Sequence, residues 1–189
     1  MKNLKKIVCF VLTAMFLVSL LSCAQQPSET GVEVPKGFTL AENENTDYYF
    51  VFPSTWILDR NDAGMTSVFV SDNDFSNVSI TPFTASAEYS SLADYAEHYY
   101  FKQFEDNFHN LEMEKNQDGS LKKTTMTIDD CEAIAVSYTA DFAGEAYAFR
   151  AWFISHNGYI YNVLYTAKEA YFDSHLSEAE VIAEYIQFR

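Results

Sequence analysis

The last third of the sequence alternates strictly between apolar and smaller or polar residues, and this pattern limits the fold more than any other feature. Apolar side chains occupy every second position of one segment, at Ile134, Val136, Tyr138, Ala140 and Phe142. A period of two is typical of a β-strand. We predict further strands from Glu145 to Ser155 and from Tyr159 to Ala167, joined by Ala143-Gly144 and by His156-Asn157-Gly158. Because Asn-Gly favours a type I′ turn, the three strands are predicted to form an antiparallel meander.

Shorter strands are predicted earlier in the chain. The run from Tyr48 to Phe52 is entirely aromatic or β-branched and stops at Pro53, which is typical of a strand buried on both faces. The remaining predicted strands are Thr66–Ser71, Asn77–Phe83, Leu111–Glu114 and Leu121–Ile128. The last two flank a turn at residues 116–119, so we predict that they form a hairpin.

Two segments show the three-and-four residue spacing of an amphipathic helix. The first runs from Ser91 to about His109, and Ser91-x-x-Asp94 resembles a capping box at its start. In the second, Ser177-x-x-Glu180 resembles another capping box and opens an apolar segment that reaches Ile186. Strands that are apolar on both faces, together with these helices, predict the α+β class. The expected architecture is an α/β/α sandwich, a central antiparallel sheet with helices on both faces.

The N-terminus has the layout of a signal peptide. Lys2, Lys5 and Lys6 precede an uncharged apolar run from Ile7 to Leu21. This run is about fifteen residues long, short of the roughly twenty that a helix needs to cross a bilayer. We therefore predict that residues 1–22 are a removable leader rather than a membrane-spanning helix.

The leader ends in Leu20-Leu21-Ser22-Cys23, which resembles the lipobox of bacterial lipoproteins. The resemblance implies that Cys23 is lipidated and becomes the mature N-terminus. Two or three acyl chains suffice to anchor a protein stably in a membrane. The alternative is an ordinary secretory signal that happens to contain a cysteine. Residues 23–37 contain Pro27, Gly31 and Pro35 and almost no apolar side chains, so we predict a flexible tether ahead of one globular domain at residues 38–189.

Charge and cysteine content narrow the possible partners. The formal net charge is -15, which argues against nucleic acid as a partner. An acidic body is repelled by anionic lipid headgroups, so the lipid rather than a basic patch must hold the membrane. The charge itself favours either simple solubility or attraction of cationic partners and divalent ions.

Within the predicted domain Cys131 is the only cysteine, so we predict that no disulfide forms there.

The segment from Tyr48 to Trp56, Tyr-Tyr-Phe-Val-Phe-Pro-Ser-Thr-Trp, resembles the "YxFxxPxxW" opening of PsbP-like proteins. The order of predicted elements matches that family over roughly Phe38 to Phe188. The resemblance implies a small α/β/α sandwich, shared with Ran-binding proteins, that acts in binding or assembly and brings no catalytic residues. The photosynthetic members' basic docking residues have no equivalent lysine cluster in this acidic chain.

Several polar clusters are weak candidates for metal sites. In a helix, Asp94 and His98 would lie one turn apart and offer half a site, whereas His98 and His109 would lie about 16 Å apart and could not share an ion. Glu105 falls on the same arc, and a solvated helix face is the alternative interpretation. A further set consists of His156 and His175, expected in loops, and Asp72-Asn73-Asp74. This last segment begins like a calcium loop but lacks its glycine and glutamate, so we predict a turn there.

Other residues invite both a functional and a structural interpretation. Cys131 has the chemistry of a nucleophile, but Asp129, Asp130 and Glu132 should raise its pKa, which favours a structural thiol. Trp56 is either a ligand platform or a core residue, and packing is favoured. The same choice applies to five tyrosines of the strands: Tyr138, Tyr147, Tyr159, Tyr161 and Tyr165.

No catalytic motif occurs in the sequence, and no cofactor or metal site is predicted. The leading hypothesis is a non-enzymatic binding or assembly module, lipid-anchored on the extracytoplasmic face of the cell membrane, with another envelope protein as its partner. The alternative is a cell-surface receptor for a small ligand or a divalent cation.

Overall fold

The computed structural model describes residues 31–41, 44–60, 66–86, 88–104 and 108–189. The chain divides into two units, Met1–Lys36 and Gly37–Arg189, and the second contains the helices and strands described below. The predicted signal peptide, the lipidation residue Cys23 and the tether up to residue 30 lie outside the described residues, as does Glu105. Within the described ranges, no helix is long and apolar enough to cross a membrane.

The described part of the second unit is built mainly from β-strands. In chain order they are β1 (Phe38–Ala41), β2 (Tyr48–Pro53), β3 (Ile57–Arg60), β4 (Thr66–Phe69), β5 (Asn77–Thr84), β6 (His109–Met113), β7 (Lys123–Ile128), β8 (Cys131–Phe142), β9 (Glu145–His156), β10 (Tyr159–Lys168) and β11 (Gln187–Phe188). A small antiparallel sheet has the order β1-β2-β11. A large antiparallel sheet has the order β3-β4-β5-β10-β9-β8-β6, with β7 also paired to β8.

The predicted meander is confirmed in strands β8, β9 and β10. Asn157 and Gly158 have φ angles of 46° and 79°, the left-handed pair that a type I′ turn requires. Ala143 and Gly144 adopt the same conformation between β8 and β9, with φ angles of 52° and 83°. These tight turns fix the register of the two hairpins, since Phe142 pairs with Glu145 and His156 with Tyr159.

The predicted hairpin between β6 and β7 is wrong. Both strands pair with β8 instead: β7 lies beside its first half, up to Val136, and β6 lies beside its second half, from Tyr138. The turn at residues 116–119 does form and is closed by a bridge between Lys115 and Leu121. Strand β7 pairs with β8 because the two-residue turn Asp129-Asp130, with φ angles of 47° and 60°, joins them in a tight hairpin. The turn at residues 116–119 therefore joins two strands that follow one another along the same edge of β8.

The first helical segment is shorter and less regular than predicted. Helix α1 (Leu92–Tyr95) begins as expected, because the Ser91 hydroxyl accepts a hydrogen bond from the Asp94 N–H at 3.1 Å. The chain continues as a π-helix to Tyr100 and a 3₁₀ turn to Gln103, and His109 already belongs to β6. The wide π turn brings residues five apart to one side, so that Tyr95 and Tyr100 both pack edge-on against Phe153.

Helix α2 (Phe172–Glu184) follows a 3₁₀ turn at Glu169–Tyr171, and it begins five residues before the predicted capping box at Ser177. The predicted α/β/α sandwich with helices on both faces is wrong, because the structure is mostly β and contains two antiparallel sheets. The small sheet and α2 together cover one face of the large sheet. The apolar strand β2 of the small sheet thus provides much of the covering layer that was predicted to consist of helices.

Alternating side chains of the large sheet supply two cores. The helix-side core lies against α2 and the small sheet, and its largest members include Tyr48, Trp152, Ile154, Tyr161, Tyr165 and Ile182. The aromatic-side core lies under α1 and the segment that follows it, and includes Tyr95, Tyr100, Phe101, Tyr138, Phe149 and Phe153. Trp56 is buried in the helix-side core, which confirms the packing interpretation. Of the five strand tyrosines, Tyr147 is half-buried and Tyr159 is exposed, whereas the other three are core residues.

Candidate functional site: an acidic cleft beside the second helix

A cleft of about 440 Å³ lies between the paired strands β6, β8 and β9 and the beginning of α2. Its volume is in the range of small-molecule sites. Small and hydroxyl-bearing residues of β8 and β9 line it, namely Ser137, Thr139 and Ala148. Four carboxylates also line it: Glu112, Glu114, Glu169 and Asp173.

The carboxylates come from two segments of the chain that the fold places around one cavity. Glu112 of β6 pairs with Thr139 of β8, and the Glu114 N–H donates to the Ser137 carbonyl at 3.0 Å. Strand β6 therefore supplies two glutamates from the sheet side. Glu169 and Asp173 come from the 3₁₀ turn and the first turn of α2, where the helix dipole stabilises the carboxylate of Asp173.

A half-buried cation lies next to the cleft-lining Ser137. Arg150 of β9 pairs with Ser137 and donates from Nη1 to its hydroxyl at 2.9 Å, while its buried Nε has no hydrogen-bond partner among the described residues. Burial lowers the pKa of the Arg150 guanidinium, and the nearby carboxylates of Glu180 and Glu114 oppose that shift. The guanidinium stays charged at neutral pH and holds the Ser137 side chain in place.

The cleft retains unpaired negative charge. Glu114 is bonded to Lys122 at 2.9 Å on the exposed side of the site. In the part of the chain that the structure describes, no basic side chain forms an ion pair with Glu112, Glu169 or Asp173. The arrangement can therefore bind a positively charged group, with the hydroxyls of Ser137 and Thr139 available as further acceptors.

The metal-site candidates do not assemble into a site. The Asp94 carboxylate lies 3.5 Å from Nδ1 of His98, which is exposed in the π segment, whereas His109 lies on β6. Over the described ranges, no three histidine, cysteine, aspartate or glutamate side chains come together in a group that could hold a metal ion. The predicted turn at Asp72–Asp74 is confirmed, because the Ser71 N–H donates to the Asp74 carbonyl at 3.1 Å.

His175 is a helix residue rather than the expected loop residue, and it links α2 to that turn. Its ring nitrogens lie 3.3 Å from Asp74 and 3.1 Å from Glu178, and its ring meets Trp56 edge-on at 5.9 Å. Burial raises the pKa of Asp74, but hydrogen bonds from Ser76 and the proximity of His175 outweigh it, so that the pKa lies below its usual value.

Sequence reasoning missed a contact between Cys131 and His156, which ends β9. The cysteine Sγ lies 3.2 Å from Nδ1 of the histidine, and Nε2 lies 2.8 Å from the side-chain amide of Asn157. Burial, Asp129 and Asp130 all raise the pKa of the Cys131 thiol, as the sequence predicted. The ring of Phe188 stacks on His156 at 4.0 Å. A protonated thiol beside a covered histidine is a poor nucleophile, so the geometry supports a structural role.

Two features that were not predicted, the Cys131–His156 contact and the glutamates of β6, nevertheless have a signal in the sequence. The turn at Ala143-Gly144 fixes the β8–β9 register, and extending that register places Cys131 opposite His156. Glu112 and Glu114 alternate with Leu111 and Met113, which marks one charged face of a short strand. Nothing local in the sequence indicates that α2 would bring two more carboxylates to that face.

The large sheet, the small sheet and the covering helix together define a PsbP-like fold. The solution structure of cyanobacterial PsbP (CyanoP) from Synechocystis matches with a TM-score of 0.57 and 12% identity, over 88% of this chain and 99% of that one. A protein of unknown function from Pseudomonas aeruginosa matches with a TM-score of 0.53 and 15% identity, over 78% of this chain and 94% of that one. The predicted PsbP-like domain is confirmed at the level of the fold.

A third similar structure comes from Bacteroides thetaiotaomicron, with a TM-score of 0.52 and 14% identity. The match covers 81% of this chain and 49% of that chain. No protein-family model and no curated protein matches the sequence. At such identities the comparisons establish the fold, and function has to be argued from the site.

Proposed function

We propose that this chain is a non-enzymatic binding module that is anchored by a lipid on Cys23 at the extracytoplasmic face of the cell membrane. Its acidic cleft binds a positively charged segment of an envelope protein. The observation that carries this proposal is the cleft itself: a cavity of about 440 Å³ in which the carboxylates of Glu112, Glu169 and Asp173 have no cationic partner among the described residues.

The electrostatics favour a cationic ligand. A lysine or arginine side chain entering the cleft would meet carboxylates from β6 on one side and from α2 on the other. Arg150 and Lys122 neutralise part of the local charge, which leaves room for roughly one or two incoming cations rather than a highly charged surface. The overall charge of -15 would steer such a partner toward the domain.

The anchor rests on the leader and its lipobox-like end, and it is supported by the short uncharged run before Cys23. The names of the similar structures describe no enzyme, which agrees with a binding role. The neutral thiol of Cys131 beside a covered His156 supports the same conclusion.

A second candidate function is a receptor for a small organic cation. The volume of the cleft favours it, because about 440 Å³ accommodates a drug-sized molecule. A divalent metal is less well supported, since the described residues contain no group of three suitable ligands.

Photo-crosslinking from the cleft in intact membranes tests the partner. A photoreactive residue in place of Thr139, which lines the cleft, should give one reproducible adduct with an envelope protein. The same residue in place of Thr124, exposed on β7, is the matched control and should not give it. Charge removal by Glu112→Gln with Asp173→Asn should reduce the Thr139 adduct about tenfold, whereas Glu132→Gln, at an exposed position of β8, should leave it unchanged.

The cleft proposal fails if the Thr139 and Thr124 positions give the same adducts, or if a small organic cation such as spermidine binds saturably and no protein adduct forms.

The lipid anchor is tested by a separate experiment. Cys23→Ser should release the chain from the membrane fraction, and mass spectrometry of the wild-type mature N-terminus should find acyl mass on Cys23. An uncleaved leader or an unmodified cysteine would contradict the anchor without touching the cleft.

A further inference from the structure

A second, smaller cavity of about 140 Å³ opens at the end of the large sheet where β10 finishes and β5 begins. Three aromatic side chains line it: Phe75 before β5, Tyr147 near the start of β9 and Tyr171 in the 3₁₀ turn. We name this cavity the aromatic pocket. It shares no lining residue with the acidic cleft.

The aromatic residues of this pocket are unusually exposed. Phe75 is 70% exposed and Tyr171 is 47% exposed, while Tyr147 is half-buried. The Tyr147 ring also lies 6.4 Å from Phe142, which is itself 54% exposed. Exposed aromatic residues gathered around one concavity mark a ligand site more often than scattered single residues do.

The pocket has two charged side chains, Lys168 and Asp74, and each already contacts another side chain or backbone group of the protein. Lys168 Nζ donates to Glu145 Oε1 at 2.7 Å. Asp74 accepts a hydrogen bond from the Ser76 N–H at 2.9 Å and lies 3.3 Å from His175 Nε2. An ammonium group has three donors and a carboxylate about four acceptor positions, so both groups keep capacity for a ligand.

Ser76 supports the pocket from beneath. It lines the cavity and is 3% exposed, and its side chain interacts with the Asp74 carboxylate and with the hydroxyl of Tyr165. These contacts, together with the bond from the Ser76 N–H, fix the position of the Asp74 carboxylate at the pocket.

These features together select a class of ligand. Flat aromatic faces favour a ligand with an apolar face, whereas paired donors and acceptors of both signs favour a neutral ligand rich in hydroxyl groups. A volume of about 140 Å³ corresponds to roughly five water molecules at about 30 Å³ each, which is enough for one ring. From this geometry we infer that the aromatic pocket binds a single pyranose sugar, stacked on Tyr171 or Phe75 and hydrogen-bonded to Asp74 and Lys168.

The test measures binding of named sugars to the purified full chain by saturation-transfer NMR. The probes are glucose, galactose, mannose and N-acetylglucosamine, and at least one should bind saturably. Tyr171→Ala should weaken that binding about tenfold, whereas Tyr171→Phe, which keeps the ring, should retain most of it. The matched control is Tyr159→Ala: Tyr159 is 44% exposed at the opposite end of β10, and its loss should change nothing.

Three results would overturn the inference: no probe binds the folded chain, Tyr159→Ala and Tyr171→Ala weaken binding equally, or indole binds at the pocket while the sugars do not. If Tyr171→Ala disturbs folding, as judged by circular dichroism, Phe75→Ala replaces it, because a side chain so exposed contributes little to the core. Variants of Glu112 and Asp173 should leave sugar binding unchanged, which separates this pocket from the acidic cleft.

Discussion

The two cores on opposite faces of the large sheet bury tyrosine hydroxyls in different ways. On the helix side, the Tyr165 hydroxyl donates to the Phe172 carbonyl at 2.9 Å and the Tyr161 hydroxyl donates to the carboxylate of Asp47. On the aromatic side, the hydroxyls of Tyr100 and Tyr138 lie 3.1 Å apart and bond to each other, and the Tyr95 hydroxyl has no hydrogen-bond partner within the described part of the chain.

The difference follows from what covers each face. Helix α2 and the small sheet bring backbone carbonyls and polar side chains to the rim of the helix-side core. The segment after α1 presents mainly aromatic rings, so the hydroxyls beneath it meet other rings or each other. We therefore expect loss of a bonded hydroxyl on the helix side to cost stability and loss of the Tyr95 hydroxyl on the aromatic side to cost little, whereas loss of volume should cost stability on both sides.

The largest effect should come from alkaline pH. Burial raises the pKa of three helix-side tyrosines and three aromatic-side tyrosines, namely Tyr48, Tyr161, Tyr165, Tyr95, Tyr100 and Tyr138. A raised folded pKa means that the stability from these phenols is fully present below the unfolded value of about 10 and is lost as pH rises beyond it. Several groups act together, so the loss should exceed that of any single substitution.

Urea unfolding between pH 9 and 12, followed together with phenolate absorbance, measures this effect. The denaturation midpoint should stay level up to about pH 10 and then fall steeply, with the tyrosines ionising as the chain unfolds. Gradual ionisation of all tyrosines near pH 10 in a chain that stays folded would show that both cores admit water.

Volume loss should be costly on both faces. Trp152 and Phe153 are neighbours on β9, both are fully buried, and they point into opposite cores. Trp152→Ala and Phe153→Ala should each reduce the free energy of unfolding by about 3–5 kcal/mol. Equilibrium denaturation of the two variants tests whether the cores are equivalent. A cost below about 1 kcal/mol for Phe153→Ala alone would mean that the aromatic side is loosely packed.

Hydroxyl loss on the helix side should have an intermediate effect. Tyr161→Phe removes the donor to Asp47 and leaves that carboxylate without this partner, which should cost about 1–3 kcal/mol. Asp47→Asn in the Tyr161→Phe background completes a double-mutant cycle. If the two substitutions proved additive, the bond would contribute nothing and the contrast between the cores would disappear.

The smallest effect is expected for the corresponding change on the aromatic side. Tyr95→Phe removes a buried hydroxyl to which none of the described residues gives a hydrogen bond, so the free energy of unfolding should stay within about 0.5 kcal/mol or rise. Thermal unfolding of this variant beside Tyr161→Phe is the direct comparison of the two sides. A loss as large as that of Tyr161→Phe would reveal a partner for Tyr95 and narrow the difference between the cores.

Local chemistry in the sequence was sufficient to predict the turns, the α1 cap and the long strands. Asn157-Gly158 dictates a type I′ turn, and Ser91 caps a helix whatever the rest of the fold does. The β7–β8 hairpin is local, because Asp129 and Asp130 form a two-residue turn with φ angles of 47° and 60° between the two strands. What could not be predicted is that β6 pairs with the second half of β8, since that pairing is non-local and carries a register irregularity. The π segment likewise reflects packing of Tyr95 and Tyr100 on Phe153 rather than local propensity.

The candidate sites were less accessible to sequence reasoning than the fold. The cleft combines β6 with the start of α2, which lie more than fifty residues apart in the chain. The aromatic pocket likewise joins the segment before β5 to β9 and the turn after β10. The layer assignment failed for a related reason, because the two residues of β11 are too few to signal a second sheet in any sequence pattern.

The divided pairing along β8 has a consequence for self-association. An uninterrupted exposed strand edge is a template on which another chain can add a strand and begin to aggregate. One edge of the large sheet is formed by two short strands, β6 and β7. Strand β6 has a register irregularity after His109, and β7 begins with Lys123. The opposite edge is the four-residue strand β3. Neither of these edges presents a long, continuous row of unpaired backbone groups to a second molecule. This arrangement protects against fibril-like stacking when many copies are crowded together.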